Sequence, residues 1–235
     1  MVMKEPLSHF IDTYPFDADN IEKIVIGEIY CAIQLKNGRI GVCATLLDPP
    51  TYPSLPSFIP DLSSNHDRII YNAYLNALVN ADWPVDGEAD IFDAVPFEKG
   101  KQNVMIGFFK PVVAHFDHAG IGVTVFDMAV DHKRVTAISE MPNCLSTAHC
   151  IILTATTIFN GSFFDVLKQN VNHAPIYILG PSAILHDDMF LYPDIKGIFG
   201  MAIGDNDDNV LKVIENNGGT RDFNIFATKV FRSFA

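Results

Sequence analysis

Residues 150–180 read CIILTATTIFNGSFFDVLKQNVNHAPIYILG. Apolar runs stand at both ends, Cys150–Thr154 and Ile176–Gly180, and neither alternates polar with apolar residues. Between them Ser162–Gln169 is compatible with a helix. A strand apolar on both faces, a helix and a second such strand make the repeat of a parallel sheet covered on both sides. The pattern extends outward. Further runs without alternation occur at Val104–Phe109, Val123–Asp127 and Ile198–Ile203, and Asp207–Asn216 is a second clear helix. The chain from about Gly100 onward is therefore expected to be a Rossmann-like α/β domain.

Upstream the texture differs. Ile21–Leu46 reads as a β-hairpin around Asn37-Gly38, the strongest signal for a two-residue type I′ turn. Pairing outward sets Leu35 opposite Ile40, Ile33 opposite Val42 and Cys31 opposite Ala44 on one apolar face. The second face, with Tyr30, Gln34, Lys36 and Arg39, is then half-polar and leaves room for a homodimer contact. The same register separates Cys31 from Cys43, so neither a disulfide nor a shared metal is expected of them. Asp48–Asn65 holds five of the fourteen prolines and reads as irregular surface. His66–Ala81 has helical spacing, and Ala89–Val95 has room for one more short helix. The expected division is a small α+β domain over 1–88 and the Rossmann-like domain over 89–235.

With 49% hydrophobic residues in 235, the chain can bury a real core. A net charge of −12 without any basic run disfavours nucleic acid and anionic membranes as partners. No stretch of about 18 apolar residues suggests a transmembrane helix, and Met1–Phe16 lacks the apolar region of a signal peptide. Four cysteines do not make a disulfide scaffold, so a reducing cytoplasm is the expected compartment.

In open parallel sheets, ligands lie beyond the carboxyl ends of the strands, where strand order reverses. The first such end, Gly107-Phe108-Phe109-Lys110-Pro111, lacks the G-x-G-x-x-G cradle, which counts against a dinucleotide enzyme. Asp127 closes the second strand, where such folds place an acid on a ribose hydroxyl. Thr154, Thr156, Asn160 and Gly161 follow the third, beside a helix start suited to an anion. Ser162 with Asp165 also fits a capping box. Gly180, Pro181 and Ser182 follow the fourth, where a small residue admits a ligand to the backbone. Gly204–Asn209 is not a calcium loop and reads as helix capping. Recognised spacings for zinc and for a serine nucleophile are absent. His186, with Asp187 and Asp188, is a candidate metal ligand, as is Asp127. His115 and His118 read as histidines favoured in a last helical turn.

Thr154–Leu167 (TATTIFNGSFFDVL) followed by Ile178–Leu185 (ILGPSAIL) resembles an uncharacterised family labelled "putative heavy-metal chelation domain". Ile26-Gly27, the Gly38–Ala44 stretch and the Asn72-Ala73…Asn76-Ala77 helix resemble its first domain. The sequence departs from the family pattern at Ala155, Ser162 and Ile184. The resemblance implies an enolase-N-terminal-like domain, a Rossmann-like domain and a site in the cleft between them. The expected function is binding of a small anionic ligand, a metal ion or a metal complex in that cleft, with heavy-metal chelation as the family's role. The alternative is an enzyme acting on a nucleotide-like or phosphorylated small molecule.

Overall fold

A computed structural model describes residues 3–51, 55–80, 85–205 and 207–234, except the side chain of Pro56. The chain begins with α1 (Pro6–Thr13), followed by strands β1 (Ile21–Ile26), β2 (Tyr30–Leu35) and β3 (Ile40–Ala44). Helices α2 (Asn65–Val79) and α3 (Ile91–Ala94) come next. The second half runs β4 (Asn103–Ile106), α4 (Lys110–Ala119), β5 (Val123–Phe126), α5 (Met141–Ser146), β6 (Cys150–Thr154), α6 (Thr156–Phe159), α7 (Phe163–Gln169) and β7 (Ile176–Leu179). It closes with β8 (Ile195–Ile203), α8 (Asp208–Glu215), α9 (Thr220–Phe223) and β9 (Ala227–Ser233).

The first three strands form an antiparallel sheet, and the other six are ordered β5-β4-β6-β7-β8-β9. Five of these are parallel, and β9 runs antiparallel along β8. Numbered within this half, the parallel order is 2-1-3-4-5, the flavodoxin-like doubly wound arrangement, which places the switch point between β4 and β6. Unbroken apolar strands dictate this sheet: Ile151, Ile152 and Leu153 of β6 are wholly buried, so both faces need helical cover. The α/β expectation holds.

The hairpin differs from its expected form. Among the turn residues only Gly38 has positive φ, +94°, whereas a type I′ turn needs it at both central positions. Gly38 N donates to Leu35 O, and Leu35 N donates to Arg39 O, closing a three-residue loop with the glycine at its bulge. The pairing slips by one residue, so Gln34 faces Ile40, Ala32 faces Val42 and Cys31 faces Cys43. A one-residue slip exchanges the faces, and Cys31 and Cys43 share a face after all. Nor is the sheet half-exposed. One face lies under α2, and the other packs Ala32, Ile40 and Val42 against Val210, Leu211 and Ile214 of α8. The surface expected to be free for a dimer contact is covered within the chain.

Ser64 caps α2 by accepting from Asp67 N at 3.4 Å. The helix then buries Ile69, Ile70, Tyr71, Tyr74 and Leu75, each large aliphatic contributing about 1.5–3 kcal/mol. It crosses β3 at Gly41, where a Cβ would stand 2.1 Å from Ala77 N, so only glycine allows the approach. Asn72, Asn76 and Asn80 lie on successive turns. Their amides donate to Ser182 O, Val42 O and Ala183 O, and Asn80 Oδ1 accepts from Leu185 N. This ladder fixes the loop after β7 to the first half of the chain. Leu7, Phe10, Tyr71 and Tyr74 share one core with Ile151, Leu153, Phe163 and Ile178. Among the described residues no helix is long and apolar enough to cross a membrane.

Candidate functional site

A cleft of about 820 Å³ opens at the carboxyl end of the parallel sheet. Its floor is the Phe108-Phe109 turn after β4, Leu179, Gly180 and Pro181 after β7, and Phe199 to Met201 within β8. Ile29 and Tyr30 of the antiparallel sheet close one side. Short helices α3 and α9, the start of α4 and Lys229 of β9 supply most of the rest. Gly180 has φ +132°, and a side chain there would meet Phe109 and Ala155 at 3.8 Å. The glycine thus provides a conformation few residues adopt and keeps the backbone open to the cleft.

Its polar groups are few and differently engaged. Tyr30 OH shares a 2.7 Å hydrogen bond with Thr220 Oγ1, and burial raises the phenol above its ordinary pKa. Lys229 pairs with Asp90 at 2.6 Å. Asp93 Oδ2 accepts from Asp90 N, and Asp222 Oδ2 accepts from Gly219 N. His115 stacks on Phe92 with ring centroids 3.7 Å apart and planes 9° apart. Phe109, the N-cap of α4, offers no side-chain bond to the first turn, so amides and the positive dipole end there are uncapped beside Lys110. The lining carries Lys110, Arg221 and Lys229 against Asp90, Asp93 and Asp222. It is balanced in charge within a chain of net −12.

Of the site residues expected from sequence, Gly180 and Pro181 line this cleft, together with Phe108 to Pro111 of the first strand end and His115. The others hold the strand ends together. Asp127 Oδ2 accepts from Phe108 N at 2.8 Å, and its Oδ1 accepts from Ala129 N and Val130 N. Thr154 and Thr156 share a hydroxyl bond of 3.1 Å, and Thr154 packs where a Gly107 side chain would stand. Asn160 Oδ1 accepts from Ser162 N and Oγ. Ser162 therefore closes an Asx turn and makes no side-chain cap, in place of the expected capping box. Gly161 has φ +81°, and a Cβ there would stand 4.0 Å from Glu5 Oε1. Ser182 Oγ accepts from Ala44 N at 2.9 Å.

His186 is 5% exposed, and both ring nitrogens are engaged. Nδ1 accepts from Asp188 N at 3.1 Å, leaving Nε2–H to donate to Tyr14 OH at 3.0 Å. Burial lowers its pKa. Asp188 in turn meets His9 Nε2 at 2.7 Å. Lys110 stands within the first strand end without being among the expected site residues, and Arg221, Lys229 and the His115–Phe92 stack lie outside every strand end named from sequence. The spacing of His115 in α4 was the one available signal, and it read equally well as a helix-end histidine.

A doubly wound α/β chain with an antiparallel sheet closing the cleft at its strand ends defines the class. Residues 90–233 match the family described as "Putative heavy-metal chelation" (DUF364), and the chain belongs to that family. It resembles the crystal structure of a DUF364 protein of unknown function from Pyrococcus horikoshii, with 17% identity and a TM-score of 0.80, covering 98% of this chain and 99% of that one. It also resembles a DUF364 protein of unknown function from Desulfitobacterium hafniense DCB-2, with 16% identity and a TM-score of 0.76, covering 99% and 100%. At these identities the likeness establishes the fold. No curated protein matches.

The family description invites a fit test for a metal. Among the described residues no three His, Cys, Asp or Glu side chains gather as a ligand set. The Asp127 carboxylate serves three backbone amides, and His186 has no ring nitrogen to spare. Cys31 and Cys43 face each other but are wholly buried. Burial pushes Cys31 up to about 12 and Cys43 well above its ordinary value, holding both as neutral thiols. A metal displaces thiol protons as it binds, so it is the lack of a third ligand beside this pair, among the described residues, that leaves them a poor fit for a bare ion.

Proposed function

We propose that this protein binds a small anionic ligand in the cleft between its antiparallel sheet and the carboxyl edge of its parallel sheet. The observation that carries this reading is the cleft itself. Its volume of about 820 Å³ lies beyond the strand ends, next to an uncapped helix start with Lys110 beside it. Gly180 and Pro181 are the backbone contacts, and Asp127, Thr154, Thr156, Asn160, Gly161 and Ser182 hold the surrounding turns. On this reading any metal handled by the protein enters as an anionic complex, because the donor sets among the described residues do not fit a bare ion. Residues 1–88 and 89–235 act as the two walls, with the enolase-N-terminal-like assignment resting on the sequence resemblance. The location beside the switch point also supports the enzymatic alternative, a phosphorylated substrate held at α4. Calorimetric titration with small phosphate esters, followed by assay for released phosphate, tests both. Saturable binding without turnover supports the binding protein, turnover supports the enzyme, and failure of every anion to bind overturns the proposal.

A further inference from the structure

We infer that the ligand is an organic anion with a flat apolar body, too large to be a metal ion or an inorganic oxyanion alone. This rests on the proposal that the cleft receives an anion and names the chemistry of the rest of that molecule. Volume is the first argument. About 820 Å³ falls within the range of sites that bury whole organic molecules, about 300–1,000 Å³. An ion or a free phosphate would fill a small part of it and leave apolar walls wet. The walls are the second argument. Phe108, Phe109, Leu179 and Met201 face the same space, and the coplanar His115–Phe92 pair stands at its side. Aromatic side chains receive another ring by offset or edge contact. A bare cation gains nothing from such walls.

Charge is the third argument. The three acids of the lining are already engaged: Asp90 by Lys229, Asp93 by the Asp90 amide and Asp222 by the Gly219 amide. Lys110 and Arg221 add positive charge with no acid of the lining assigned to them. The lining is balanced overall, and attraction to an anionic group is local to the start of α4, where Lys110 stands beside uncapped amides, with apolar contact over the remainder.

Four probes separate the parts of this inference: 1-naphthyl phosphate, 1-naphthol, inorganic phosphate and Zn²⁺, titrated into the full chain by calorimetry. The expected result is one-to-one binding of 1-naphthyl phosphate, at least about tenfold tighter than either naphthol or inorganic phosphate. Lys110→Glu, an exposed substitution checked for an unchanged unfolding temperature, is expected to weaken 1-naphthyl phosphate about tenfold and to leave naphthol unchanged. Inorganic phosphate binding as tightly as the naphthyl ester overturns the apolar body while the anionic reading stands. Naphthol binding as tightly as its phosphate overturns the anionic reading itself. Zn²⁺ that binds stoichiometrically and competes with the ester overturns the inference, as does an ester that does not bind.

Discussion

Replacing Arg68 with Met should cost more stability than any surface charge in this chain. Arg68 is 6% exposed and lies on α2 under the start of the chain. Its guanidinium holds Glu5 through bonds of 2.6 and 2.8 Å. It also donates to Leu62 O at 3.1 Å, to Ile158 O at 2.8 Å and to Phe159 O. One side chain thus ties the residue before α1 to the carbonyls ending α6, the helix that follows β6. Methionine nearly matches the volume and removes every donor. Breaking a buried pair by removing one partner costs about 3–5 kcal/mol. The Glu5 side chain is 23% exposed, so water relieves part of its loss and places the cost near the lower bound, about 3 kcal/mol. In a chain of this length that lowers the unfolding temperature by about 6–12 °C. Urea unfolding of R68M, E5Q and the double variant provides the assay. The double variant should lose less than the sum of the singles, because the two substitutions remove the same interaction. A loss below about 1 kcal/mol in R68M would show instead that the clamp contributes no more than a surface ion pair.

Gly41→Ala is expected to destabilise by at least about 3 kcal/mol in thermal unfolding, because its Cβ would overlap backbone atoms of α2 at 2.1 and 2.3 Å. Native protein should show one fast thiol toward an aromatic disulfide reagent, Cys144, and four after denaturation, since Cys31, Cys43 and Cys150 are buried. Burial raises the Cys31 and Cys150 pKa values from 9.0 to about 12, so the folded state holds protons that the unfolded state releases. Stability from these thiols is complete below 9 and is lost as the pH rises toward 12, read as a falling urea midpoint that flattens in Cys31→Ala. His186 titrates in the opposite sense. Burial lowers its pKa below 6.5, so its contribution is present above 6.5 and lost as the pH falls through the folded value. The acid side of the urea midpoint profile should flatten in His186→Gln, and an unchanged slope would remove His186 as its source.

The parallel strands were legible because their burial leaves a mark in single residues: β6 coincides with its apolar run, and β7 differs only in losing Gly180. Other elements were hidden by ambiguity that the chain settles in three dimensions. Asn37-Gly38 supports two loops of different length, and the positive φ of Gly38 alone chose the longer one. That single residue moved Cys31 opposite Cys43. Strand β9 was unreadable because Lys229 and Arg232 interrupt its apolar residues, and Arg232 is buried through its ion pair with Asp187. The candidate site was half visible. Gly180 and Pro181 follow from the rule that ligands sit at strand ends. Thr154, Thr156 and Asn160 obey the same rule, yet their polar atoms bond to neighbours within two residues. Lys110 falls at the first strand end, but Arg221 and Lys229 reach the same cleft only because distant segments converge on one edge of the sheet, which no local pattern encodes.

Amide chemical-shift mapping of the isotope-labelled chain against 1-naphthyl phosphate tests whether the cleft receives an anion. Saturable shifts are expected, centred on Phe109, Lys110, His115, Gly180 and Thr220, with one dissociation constant common to all. Shifts centred instead on Asp127 to His132 or on His9, His186 and Asp188, with the cleft silent, would contradict it.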